Sequence, residues 1–160
     1  MAPRVTPRQY DLLLTRTQKF AVAAPLVMFT VMPLVFIFVF SSTDVATAAN
    51  PPPPLFPLFP LIFFLAFAVF YAWSVASLPY RITATSDQQL LFKSLINIRS
   101  ALVSDLLLIE PRGLYVQAGV SGYILEHRAG KIRFPGQFSG LYVLLGELKK
   151  ANPDLEIRGC

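Results

Sequence analysis

The sequence predicts a membrane α-helical hairpin followed by a small antiparallel β domain. Three observations carry that expectation. Residues 20–43 and 45–80 contain no charged side chain. Six of the 14 Pro fall between residues 51 and 60, inside the second of these stretches. From residue 80 onward, short apolar runs alternate with turn residues, and no Gly precedes Gly113.

The composition points the same way. Of 160 residues, 54% are hydrophobic and only 14% charged, with a mean hydropathy of +0.55; soluble domains average roughly 45–50% and about 25%. That balance argues against a soluble enzyme of this size. It also argues against a disordered chain, which needs low hydrophobicity and high charge. The single cysteine, Cys160, excludes an intrachain disulfide framework or a cysteine-based metal cluster. It reads as a free thiol suited to a reducing compartment. The net charge of +5 comes from scattered residues without a dense basic run, so no nucleic-acid partner is expected.

Residues 1–19 read as a cytoplasmic N-terminal segment. Within it, 6–19 is expected to form a short helix on the membrane surface, turning Leu12, Leu13 and Leu14 toward lipid. The first span, 20–40, rises about 31 Å as a helix, enough for a hydrocarbon core of roughly 30 Å. Pro33 lies in mid-span and should kink it. A cleaved secretory leader would share the basic start and the Ala46-Thr47-Ala48 site. The apolar run nevertheless exceeds the roughly 7–15 residues of a leader, so a retained span is expected.

Residues 44–59 form the Pro-rich connector, and 60–78 the second span, with Pro60 in its first turn. The hairpin thus covers 20–78. Tyr71, Trp73 and Tyr80 gather where an aromatic belt belongs. Ala68, Ala72 and Ala76 recur every four residues and make a helix-packing stripe toward the first span. Arg4, Arg8, Arg16, Lys19 and Arg81 flank the spans, whereas 41–59 has no Lys or Arg. The positive-inside rule then places both termini in the cytoplasm of a multi-pass inner-membrane protein.

The β domain, 79–160, opens with alternating strands at 80–85 and 89–93 around the turn Ser86-Asp87-Gln88. A third strand covers 95–99, and Ser104-Asp105 has turn chemistry. Residues 106–110 form a buried strand ended by Pro111-Arg112-Gly113. Further strands fall at 114–117, 123–128 and 131–134, the last two joined by Ala129-Gly130 as a tight hairpin. Ser139 then caps a helix whose Leu141, Leu144, Leu145 and Leu148 share one face, and Asn152-Pro153 stops it. Seven strands and one amphipathic helix suggest a small barrel or sandwich with the helix over one open edge.

Two spans, then Ser104-Asp105-Leu106 leading to Ile109-Glu110-Pro111, then Gly130-Lys131-Ile132-Arg133-Phe134-Pro135-Gly136 and a terminal helix: this resembles the bacterial membrane proteins that carry a pleckstrin-homology-like (PH-like) domain. The resemblance implies a seven-strand domain with a C-terminal helix, and a scaffold rather than a reaction. The turn Ser86-Asp87-Gln88 lacks the basic residues of lipid-binding PH domains, so phosphoinositide binding is not carried over.

Signals for catalysis are few. His127 stands alone in a strand-like run, without a placed nucleophile and acid. Gly119-Val120-Ser121-Gly122 lacks nucleophile-elbow spacing and reads as a hairpin turn. No phosphate-cradling motif or metal-ligand cluster occurs, so no cofactor and no metal are expected. Asp44 lies past the first span, leaving neither span a group for a proton relay. Arg128, Lys131 and Arg133 flank one hairpin, and Lys131 and Arg133 share a face by alternation. The expected function is therefore non-enzymatic: an accessory or assembly subunit whose PH-like module binds protein. The expected partners are the lipid bilayer and either another membrane protein or a second copy of the chain. The alternative is lipid sensing through the basic hairpin 128–133.

Overall fold

The computed structural model describes residues 5–42, 58–115 and 120–159. The chain divides into two compact units, Phe20–Val75 on one side and Met1–Lys19 with Ala76–Cys160 on the other.

The first unit holds two helices, α1 (Arg16–Ser42, 27 residues) and α2 (Leu58–Ala76, 19 residues). Both are long and apolar enough to cross a bilayer, and only 6% of each apolar window is buried. Large side chains such as Phe20, Phe38 and Phe59 stand more than 70% exposed. A helix in the core of a soluble domain would cover such surface; one that belongs in lipid leaves it bare.

The helices meet along a narrow seam. On α1 the less exposed residues are Val22, Pro25, Phe29, Pro33 and Phe36; on α2 they are Leu61, Phe64, Ala68, Tyr71 and Val75. The steps are three, four, four and three on α1 and three, four, three and four on α2, averaging the 3.5-residue period of a coiled-coil seam. Phe29 packs its ring against Phe67 at 5.0 Å and against Phe64 and Tyr71 at 6.4 Å each. The Tyr71 hydroxyl donates to the Val22 carbonyl at 2.8 Å.

In the second unit, two four-stranded sheets face each other. β1 (Arg8–Asp11), β2 (Arg81–Ala84), β3 (Gln89–Lys93) and β4 (Ile98–Leu102) form the first, in that order and antiparallel throughout. A single 3-10 turn, Val103–Asp105, leads into the second sheet. That sheet comprises β5 (Leu106–Tyr115), β6 (Val120–His127), β7 (Gly130–Pro135) and β8 (Glu156–Ile157), ordered β7-β6-β5-β8. Helix α3 (Leu141–Ala151) connects β7 to β8. The core gathers Ile82, Leu90 and Phe92 from one sheet and Ile109, Leu125, Ile132 and Phe134 from the other. The Phe92 and Phe134 rings bridge the sheets at 5.6 Å. Leu141, Leu144, Leu145 and Leu148 of α3 are all buried against them.

Several expectations are corrected. The surface helix over 6–19 does not form: 8–11 is a strand, and Asp11 pairs with Arg81 in β2. Tyr10, only 1% exposed, points into the core and binds this segment there, while Leu12 bridges to Phe138. The described residues make eight strands rather than seven, and of the barrel or sandwich expected they form two sheets with no closed barrel. β8 is an addition, and it runs parallel to β5. β5 does not end at Pro111 but continues to Tyr115, fusing two expected strands. The reason lies in the ladder. β8 pairs only at Leu108 and Ile109, so Pro111 falls where no neighbour requires its missing N–H. Gly159 lies against the Pro111 ring instead. The strand expected at 95–99 begins three residues later, because Ser94–Asn97 closes a turn. Val120, Ser121 and Gly122 belong to β6 rather than to a turn; Gly119 lies outside the described residues, as do 43–57 of the connector. Ser139 does not cap α3. Its N–H donates to the Asp11 carbonyl, and Gly140, at φ +71°, holds the cap position.

Candidate functional site

Strand alternation sorts the second sheet into a core face and an outer face. On the outer face by alternation are Leu108, Glu110 and Arg112 of β5, Ile124 and Glu126 of β6, and Lys131 and Arg133 of β7, with Ile124 nevertheless buried at 2% exposed. Glu156 sits beside Leu108, and Arg158 follows β8. Three carboxylates thus share the face with four cations.

The sequence-predicted trio is distributed over this lattice. Arg128 sits in the two-residue turn between β6 and β7, 75% exposed, with its guanidinium 4.0 Å from Asp105. Lys131 faces Glu126 across the strands and forms an ion pair with it. Arg133 stands exposed opposite Ile124. Arg158 bonds Glu156 at 2.7 Å. That contact holds the Glu156 carboxyl below its ordinary range and raises the Arg158 guanidinium, with Glu110 and Glu126 adding to the latter. The face is a balanced charge lattice rather than a basic patch, because two of the three candidate cations already meet a carboxylate.

A second surface lies along α3. An open groove of about 460 Å³ is lined by Tyr142, Leu145, Gly146, Lys149, Glu156 and Ile157. Tyr142 is 74% exposed, and Val143 beside it is 48% exposed. The Lys149 ammonium is turned to the helix end, donating to the Pro153 and Leu155 carbonyls at 2.8 and 2.7 Å. A methyl group at Gly146 would meet nothing within 4 Å. Glycine in a helix interior costs about 1 kcal/mol relative to alanine. No neighbour within the chain requires the cost, and its effect is to lower the groove floor.

Elsewhere the predicted residues scatter. Ala68 is buried on the α1–α2 seam, whereas Ala72 is exposed and Ala76 partly so. A repeat of four turns steadily away from a seam that steps three and four. His127 ends β6, and its Nδ1 accepts the Ala129 N–H at 3.3 Å. Cys160 and Asp44 lie outside the described residues. Among the described residues no cluster of three His, Cys, Asp or Glu is placed to hold a metal. The α3 groove was missed from sequence, though one signal was present: Tyr142 and Val143 are large apolar residues off the Leu141–Leu148 stripe. Comparison with protein-family models, curated proteins and solved structures finds no match to this chain.

Proposed function

We propose that the chain is a multi-pass protein of the bacterial inner membrane whose PH-like β unit works as a protein–protein interaction module, not as a catalyst. In that reading it is an accessory or assembly subunit of a larger membrane complex. The observation that carries it is the α3 surface, where Tyr142, Val143 and Gly146 offer an aromatic, an aliphatic and a gap side by side. Exposed aromatics beside an unfilled groove are the usual anchors of an interface. Topology supports the placement. β1 precedes α1 and β2 follows α2, yet they pair, which favours two crossings over one; the flanking Arg and Lys favour the cytoplasmic side.

A photo-crosslinking residue in place of Tyr142, in intact membranes, tests the reading. Capture of one discrete membrane protein from 142 but not from Arg133 supports it. Capture from neither position, with lipid adducts at 133, would instead favour lipid sensing through 128–133.

A further inference from the structure

The turn between β3 and β4 is closed by its own polar groups and carries an apolar tip. Its outer residues satisfy each other: the Ser94 N–H donates to the Asn97 carbonyl at 2.9 Å, and the Asn97 N–H to Ser94 Oγ at 3.0 Å. The Ser94 hydroxyl also donates to Asn97 Oδ1 at 2.6 Å, and Ser94 is buried. Between them stand Leu95, 76% exposed, and Ile96, 42% exposed, with Ile98 at 64% just beyond. A tip with its polar groups turned inward and its apolar side chains outward is costly in water and suited to a less polar medium.

The tip is bonded to the chain where the second apolar helix ends. The Leu95 N–H donates to the carbonyl of Ala76, the last residue of α2, at 3.1 Å. The return path is adjacent: the Leu12 N–H donates to the Tyr80 carbonyl at 3.0 Å, and exposed Leu13 comes three residues before α1. Cations surround the same end of the sheet. Lys93 pairs with Ile98 and Arg99 follows, while Arg16 and Lys19 open α1; Arg81, opposite Lys93, is already bonded to Asp11. Apolar tips ringed by Lys and Arg match the acyl boundary and the anionic headgroups of one leaflet.

We propose that the Ser94–Asn97 turn inserts Leu95 and Ile96 into the lipid interface, as an attachment of the β unit to the bilayer additional to the two helices. This rests on α1 and α2 spanning the membrane. The test is site-directed spin labelling of the full chain, carrying Cys160→Ser and one new cysteine at 95, 96, 107 or 28. The chain is reconstituted in vesicles of phosphatidylethanolamine with a minority of phosphatidylglycerol. Labels at 95 and 96 are expected to relax more with lipid-soluble oxygen than with a water-soluble nickel chelate, at a depth of about 5–10 Å. The label at exposed Leu107 shows the reverse order. Chelate-dominated relaxation at 95 and 96, with Met28 still shielded by lipid, would overturn the inserted turn and leave the spans standing. Chelate access at 28 would overturn both. Protection of 95 and 96 from both agents would mean that protein covers the tip, which also overturns it.

Discussion

Two glycines six residues apart should respond to the same substitution with opposite signs. Gly140 sits at φ +71°, where an L residue is strained by about 1–2 kcal/mol, although a methyl there would only touch the Tyr10 ring at 3.6 Å. Gly140→Ala should therefore lower the thermal midpoint in mild detergent. Gly146→Ala, in open space within α3, should raise it by a gain of about 1 kcal/mol while filling the groove. Stability and crosslinking would then move apart. Asn152 is the other residue with a defined task. It is buried, and its Nδ2 donates to the Val103 and Leu106 carbonyls at 2.8 and 3.0 Å. Asn152→Ala removes both of these buried bonds, although the Val103 carbonyl keeps the Leu106 N–H, at a cost of about 1–3 kcal/mol; Asn152→Asp, aiming a carboxylate at two carbonyls, should cost more. Asp11 gives a pH signature. The Gln9 amide, then the Arg81 guanidinium, hold its carboxyl below the ordinary value of 3.8. A lowered native value means the contribution is fully present above 3.8 and lost as pH falls through the native one. The protection of β1 amides, relative to their intrinsic exchange rates at each pH, should fall on acidification across that window. Asp11→Asn should remove the dependence.

Elements were legible in proportion to how many of their residues face the core. β3 was read at its true bounds because Leu90 and Phe92 alternate with more exposed neighbours, and α3 because four Leu share one stripe. β1 buries Tyr10 alone, and β8 is two residues long; neither has enough pattern to be read locally. Their partners lie far along the chain, which no window of sequence contains. The candidate surfaces were less legible still. The charge of Arg128 and Lys131 was visible, but their pairing with Asp105 and Glu126 depends on fold. At this scale α3 is structural as well as exposed. Leu144→Ala and Leu148→Ala should each cost about 2–5 kcal/mol, so the pair should abolish the cooperative transition. A double variant melting like the parent would mean that the apolar face is not core. In α2, Ala68→Leu should overpack the seam, by about 1–3 kcal/mol, and Ala72→Leu should be silent in the same detergent melt.

For the whole molecule, the pairing of Asp11 with Arg81 joins residues 70 apart in sequence, with both long helices between them. During synthesis the first strand leaves the ribosome without a partner. At about 5–20 residues per second, β2 follows some 4–14 s later, after the second helix has been made. The first sheet is thus finished only after both long helices have been made and β2 has met β1. A chain stalled between the helices, or one whose second helix fails to insert, keeps Tyr10 and the β2 edge unmatched, in the form that quality-control proteases recognise. If both helices span as proposed, correct insertion is written into the stability of the β unit: the sheet would act as a proofreading step for topology, closing only on molecules that have threaded the membrane twice.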